Sequence, residues 1–266
     1  MTSLAAWAAV DSRVTSSFYL TSDSRVSFGD GRPPFDRAQK LFVSSRYPDL
    51  FGYCGDVDFT SAALQHLLNL IDQDGLFLDG DDAEVRNFKM DEVLKRRFET
   101  CPTKREFMIL HASRSGEGMK ASFLLWKTAW SVKEGWVTQR LELPVESAIV
   151  LSEGSGGEVV LQHNKGWRHV LPGTSRSVFS AFWDALESGK DSKSGGPVQL
   201  VGLYQRGAGR HFGVIQKGKR FLMGSEIMDA EKCSQFEWRN KAFELCDFQT
   251  LERLPEAQRH PRPKDL

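Results

Sequence analysis

The sequence predicts an α+β fold of stacked layers around a largely antiparallel pair of sheets. Three observations carry that reading. Strand-like and helical runs are segregated along the chain instead of alternating, which disfavours βαβ units. The first two pairs of strand-like runs are each joined by a short turn, as hairpins are. Finally, 266 residues, 40% hydrophobic and 26% charged, are ordinary globular usage and enough to bury a substantial core.

Taken in order, residues 3–10 and 14–22 are extended runs separated by Asp11-Ser12-Arg13, which is turn chemistry. Residues 40–45 and 50–54 repeat the scheme around Arg46-Tyr47-Pro48-Asp49. The period then changes. Phe59, Ala62, Ala63, Leu67, Leu70 and Ile71 fall on one helical face. Asp58 or Thr60 is placed to cap that helix, and Gly75 to end it. A second helix is expected over 81–99. Strand signals return at 107–113, 121–130, 136–143 and 148–151, the first two joined by the Gly-rich R-S-G-E-G-M. A helix over 177–186 carries Phe179, Phe182 and Trp183 at core spacing. Strands follow at 198–204 and 211–216, with R-G-A-G-R-H at 206–211 as a hairpin loop. A domain over 2–224 and a polar, partly disordered extension over 225–266 complete the expected layout.

Lys plus Arg and Asp plus Glu both number 35, so no global charge draws the chain to nucleic acid or an anionic membrane. No apolar run reaches membrane-spanning length, and the N-terminus lacks the positive region of a signal peptide. Cys54, Cys101, Cys233 and Cys246 are widely spread without a C-x-x-C, which reads as a reduced, cytoplasmic protein. The six histidines show no ligand spacing, so neither a metal nor another cofactor is expected.

The tetrapeptide D-S-R-V occurs twice, at Asp11 to Val14 and at Asp23 to Val26. If 3–10 and 14–22 pair as a hairpin, facing residues have numbers summing to about 24 or 25. Asp11 then lies in the turn, whereas Asp23 lies opposite Thr2. With the second turn near Tyr47, Lys40 faces Cys54 and Gly55. Should both hairpins share one sheet, Thr2, Asp23, Lys40 and the Cys54–Gly55 backbone gather at one edge.

Thr2 is the residue with chemistry to offer. Initiator methionine is trimmed ahead of a small residue, leaving a free α-amine on the residue that bears the hydroxyl. That amine is a base for its own Oγ. Its reference pKa of about 7.7–8.0 suits the role near neutral pH. Lys40 disfavours protonation of the amine, and Asp23 pairs with and positions Lys40. Backbone N–H groups near Cys54 and Gly55 supply an oxyanion hole. The bland alternative is an ordinary N-terminal residue beside a structural Asp23–Lys40 ion pair.

These residues, in this order, resemble the N-terminal nucleophile (Ntn) threonine peptidases: the proteasome β-subunit family and its bacterial ATP-dependent relative. The resemblance rests on Thr2, S-D-S-R-V-S at 22–27, the lysine of Q-K-L-F at 39–42 and G-Y-C-G-D-V-D at 52–58 opening a helix. It continues with E-G-S-G-G at 153–157 and with D-S-K-S-G-G at 191–196, which fits the family's D-x-x-S-G-G element. It spans residue 2 to about 224.

By resemblance, Thr2 is the nucleophile and Asp23 and Lys40 are its charge partners. Ser155, Asp191 and Ser194 form a polar network near the amine, and the Cys54 N–H contributes to the oxyanion hole. The implied fold is a four-layer αββα sandwich. The implied assembly is a homo-oligomeric ring, commonly two stacked, with sites facing an enclosed chamber. The implied reaction is acyl transfer on a polypeptide substrate through an ester intermediate. No ATP-binding motif is present, so a AAA+ unfoldase feeding such a chamber is a separate chain.

There are departures. The family usually has two glycines where this chain has Cys54-Gly55, and a thiol there is a candidate for oxidation. The 107–151 region is longer than the family core, and the tail after 225 has no counterpart. With Thr2 so near the start, maturation needs only loss of Met1. Trp126, Trp130 and Trp136 are expected at a subunit interface. Asp56 is expected to acidify the substrate pocket and favour a basic side chain. Two other functions fit: a small-amide hydrolase with the same nucleophile, or a catalytically silent ring subunit.

Overall fold

The computed structural model describes residues 2–11, 14–28, 31–229 and 231–257. The chain opens with two hairpins: β1 (Leu4–Val10) with β2 (Thr15–Ser22), and β3 (Leu41–Val43) with β4 (Asp49–Gly55). Helices α1 (Val57–Asp72) and α2 (Ala83–Glu99) follow. Next come β5 (Phe107–Ser115), β6 (Ser122–Ser131), β7 (Gly135–Leu141) and β8 (Ala148–Glu153). Helices α3 (Gly157–Val170) and α4 (Ser175–Glu187) precede β9 (Gln199–Tyr204), β10 (Arg210–Gln216) and β11 (Lys219–Leu222). Short strands β12 (Ser225–Glu226), β13 (Trp238–Arg239) and β14 (Leu245–Cys246) close the described chain.

The strands form two sheets. A nine-stranded sheet runs β12-β11-β10-β9-β2-β1-β8, with β13 beside β10 and β14 beside β13. A five-stranded sheet runs β3-β4-β5-β6-β7. All pairings are antiparallel except β10 with β13. The two opening hairpins therefore lie in different sheets, not in one as the edge-gathering argument required.

Three apolar clusters show why period-2 strands and period-3.6 helices stack here. In the first, Leu4, Ala6, Phe18 and Leu20 of one sheet meet Leu41, Leu50, Cys54 and Leu110 of the other. In the second, the alternate residues Phe42, Phe51, Tyr53 and Ile109 pack on Leu64 and Leu67 of α1 and on Met90 and Leu94 of α2. In the third, Ala5, Trp7 and Tyr19 pack on Val160 of α3 and on Phe179, Phe182 and Trp183 of α4.

Several expectations need correction. Helix α3 was not expected, because its buried stripe is only Gly157, Val160, Asn164 and Trp167, too polar to announce a period. The cap of α1 is Asp56, whose carboxylate accepts from the Phe59 N–H, not Asp58 or Thr60. Trp126 is 4% exposed and so removed from any subunit interface, whereas Trp130 and Trp136 are half-buried and pack against Phe98 at the edge of the second cluster. The Trp136 indole donates to Asp91 of α2, as do the Thr128 and Thr138 hydroxyls. These tryptophans seat the β6–β7 hairpin within the subunit. The expected boundary at 224/225 falls inside a sheet: Trp238, Cys233 and Cys246 are buried together, and Phe243 reaches Trp7, Tyr19 and Phe179. Disorder from 225 is thus corrected for the described residues up to 257, and residues 230 and 258–266 lie outside the described residues. So do Ser12 and Arg13 of the first turn, and Met1.

Candidate active site

The register of the first hairpin decides what meets Asp23. Leu4 pairs with Ser22, and the numbering continues outward. The Asp23 N–H donates to the Ser3 carbonyl at 3.2 Å, and the Ser3 N–H donates to Asp23 Oδ1 at 3.1 Å. Ser3, not Thr2, therefore faces Asp23. In the second hairpin the Tyr53 N–H donates to the Lys40 carbonyl, so Lys40 faces Tyr53 and not Cys54–Gly55.

Asp23 and Lys40 nonetheless meet. Lys40 stands just before β3 of the five-stranded sheet and Asp23 just after β2 of the other, and both side chains are fully buried. Lys40 Nζ donates to Asp23 Oδ1 at 2.7 Å and to the Arg25 carbonyl at 2.5 Å. Asp23 Oδ2 accepts from the Arg25 N–H at 3.1 Å and from the Gly195 N–H at 2.9 Å. Burial pushes the Asp23 carboxyl up and the Lys40 amine down, and each opposes the other's shift by its charge. A lysine so desolvated gives up a proton more readily than a surface one.

Thr2 lies at the same place. Alternation along the strand puts it on the face of Leu4 and Ala6, between the sheets, while Ser3 shares the helix-side face of Ala5 and Trp7. Thr2 is 1% exposed, and its Oγ1 has no hydrogen-bond partner among the described residues. Buried hydroxyls are ordinarily satisfied, so an orphan one residue before Ser3, whose N–H holds Asp23, calls for a role. Continuing the β1–β8 register beyond Leu4 with Glu153 brings Thr2 opposite Ser155. Gly154 is required there: at φ +86, an added Cβ would sit 1.9 Å from the Thr2 carbonyl oxygen.

On the helix side a chain of hydroxyls ends on one carboxylate. Ser3 Oγ donates to Ser194 Oγ at 2.8 Å. Ser194 Oγ and Ser155 Oγ each donate to Asp191 Oδ2 at 2.7 Å. Burial opposes the Asp191 charge, but those two hydroxyls and the Lys193 N–H outweigh it and hold the carboxyl below its ordinary value. The Arg25–Asp36 ion pair, with Arg25 also donating to the Ser192 carbonyl, ties down the loop that carries Ser194 and Gly195.

Two expected members stand elsewhere or differently. Asp56 caps α1 and its side chain is 3% exposed; it lines a cavity with Asp58, Phe59, His66 and Arg97, where Arg105 stands 4.0 Å from its carboxylate. Asp56→Ala is expected to cost about 1 kcal/mol of stability, read by chemical denaturation. The Cys54 N–H is in the wrong phase for an oxyanion donor. The Asp56 N–H donates to the Glu106 carbonyl, so by the two-residue alternation of the β4–β5 ladder Cys54 N–H points at Met108. The Gly55 N–H points the other way, with Tyr53, towards the Lys40 side. Gly55 holds φ +94, where an added Cβ would meet the Glu106 carbonyl oxygen at 2.5 Å. The Cys54 thiol sits in the inter-sheet cluster, and burial pushes it up to about 12, which leaves it protonated and poorly oxidisable.

Ser3 and Gln199 belong to the constellation without having been singled out. The true hairpin register would have found Ser3. Gln199 carries no local signal.

No protein-family model matches the sequence, and no curated protein does. Solved structures do. The Anbu (Gly-1) mutant from Hyphomicrobium sp. strain MC1 matches at TM-score 0.52 and 12% identity, over 85% of this chain and 88% of that one. Eukaryotic HslV from Trypanosoma brucei matches at TM-score 0.47 and 16% identity, over 76% of this chain and 99% of that one. At such identity the likeness to Anbu is one of fold alone, a mixed α/β fold. Among the described residues no helix is long and apolar enough to cross a membrane.

Proposed function

We propose that this chain is an Ntn-type threonine peptidase with the four-layer αββα arrangement. The three apolar clusters support the layering, and the fold likeness to Anbu supports the type. The observation that carries the chemistry is the buried Lys40–Asp23 pair, whose carboxylate accepts from the N–H of Ser3, the residue next to a Thr2 whose buried hydroxyl has no partner among the described residues.

Loss of Met1 frees the Thr2 amine. That amine takes the proton of Thr2 Oγ1 as the oxygen attacks a peptide carbonyl. The Lys40 ammonium stabilises charge on the attacking oxygen, and its own charge keeps the amine unprotonated between turnovers. The Gly55 N–H receives the tetrahedral oxyanion. Collapse breaks the C–N bond, and the departing amine carries off the proton, leaving an ester on Thr2. Water then attacks the ester, the acid product leaves, and the hydroxyl is restored. Ser155, Ser194 and Asp191 orient the amine. We further propose polypeptide substrates, a homo-oligomeric ring around an enclosed chamber, a separate AAA+ unfoldase as feeder, and a cytoplasmic setting.

The test is intact-mass analysis with a peptide epoxyketone, a reagent that needs both a hydroxyl and an amine on one residue. The expected result is loss of Met1 and one adduct, mapped to the Thr2 peptide. An active protein that retains Met1, or an adduct elsewhere, would overturn the assignment.

A further inference from the structure

We propose that Gln199 is a positioning residue that fixes the Lys40–Asp23 pair from both sheets at once. The inference rests on the reading of that pair as catalytic.

Gln199 opens β9 opposite Ser22 and is 2% exposed. Its Oε1 accepts from the Lys40 N–H at 3.0 Å and the Leu41 N–H at 3.4 Å. Its Nε2 donates to the Asp23 carbonyl at 3.1 Å, Ser24 Oγ at 2.8 Å and the Ala38 carbonyl at 2.9 Å. Both acceptor sites and both N–H groups are therefore engaged, one N–H being shared. Asp23 and Ser24 leave the nine-stranded sheet; Ala38, Lys40 and Leu41 enter the five-stranded one.

Around this point the two sheets meet through apolar side chains, as in the cluster of Leu4, Leu20, Leu41 and Cys54, and the other polar links, Lys127 to Glu153 and Arg114 to the Tyr204 carbonyl, attach to other strands or strand ends. Apolar contact is non-directional and does not set one strand's position along another closely. A hydrogen-bonded amide does. Where the ammonium must meet a carboxylate at 2.7 Å, a shift of about 1 Å costs on the order of a hundredfold in rate. Only an amide offers acceptors to the backbone of one sheet and donors to the other. Asparagine lacks the reach by one methylene.

The experiment compares Gln199→Met and Gln199→Glu with the wild type in the intact protein. Amide hydrogen exchange is followed at Lys40 and Leu41. Peptide hydrolysis is measured per active site titrated with the epoxyketone. In Gln199→Met, exchange at those two amides is expected to rise at least about tenfold while β1 stays protected. Its kcat is expected to fall at least about tenfold, with KM within about twofold. Gln199→Glu keeps the acceptor for Lys40 and Leu41, so their exchange stays slow and kcat falls less. Unchanged exchange in the Met variant, or unchanged kcat per titrated site, would overturn the proposal. If the Met variant does not fold, an unaltered kcat in the Glu variant does the same. A wild type that neither labels nor cleaves would sink the peptidase reading alone, because the exchange measurement needs no activity.

Discussion

Thr2→Val is expected to abolish peptide hydrolysis while leaving the fold as stable as the wild type. Valine keeps the volume and branching of threonine and removes only the hydroxyl. That hydroxyl has no partner among the described residues, so no hydrogen bond is lost with it. Replacing an unsatisfied buried polar group by an apolar one is neutral or stabilising. Stability in urea should therefore stay within about 1 kcal/mol or rise. For kcat, removal of the nucleophile should cost at least about 10⁴-fold, because the remaining oxyanion donor and binding groups supply only a residual. Thr2→Ser should retain measurable turnover. A Thr2→Val protein with more than a few per cent of wild-type turnover would remove Thr2 from the mechanism.

Lys40→Met is expected to behave differently: both activity and stability fall. Methionine fills the space of the lysine stem but leaves Asp23 buried with its charge uncompensated. Breaking a buried pair from one side costs about 3–5 kcal/mol. The three N–H donors from Ser3, Arg25 and Gly195 remain on Asp23 and place the loss towards the lower end. Turnover should drop by roughly 10³-fold or more, as when preorganised charge stabilisation is removed. Adding Asp23→Asn to Lys40→Met should restore part of the stability, by removing the stranded charge, and none of the activity. Recovery of activity in that double variant would show that the pair is structural. Unfolding midpoints and single-turnover rates on the same preparations separate the two readings.

The opening hairpins were legible because Asp11-Ser12-Arg13 and Arg46-Tyr47-Pro48-Asp49 carry turn chemistry between period-2 runs. Their registers were not. The β1–β2 ladder shifts between Ala9 and Val10, and a slip of one residue is invisible to arithmetic on turn centres. That slip exchanged Thr2 for Ser3 opposite Asp23. Partnership between strands is likewise unwritten in either strand alone, which is why two hairpins in separate sheets were expected in one. Asp23, Lys40, Ser155, Asp191 and Ser194 came from an ordered pattern, and the structure brings them into contiguous contacts. Asp56 illustrates the opposite case: its neighbours in sequence suggested a pocket, but an Asp three residues before Phe59 at a helix start is first of all a cap. Gln199 gives no warning in sequence, since a single polar residue at the head of an apolar strand looks like solvent exposure. Strands β12 to β14 are two residues long, too short for any period.

The interior position of the first strand also sets an order of assembly. β1 is flanked by β2 on one side and β8 on the other, and Thr2 ends up with 1% of its surface accessible. Leu4 pairs with Ser22 across a short hairpin and with Glu153 across most of the domain. Contacts that close a long loop bear the larger entropy cost and form late, so the β8 side of β1 is the last to be covered.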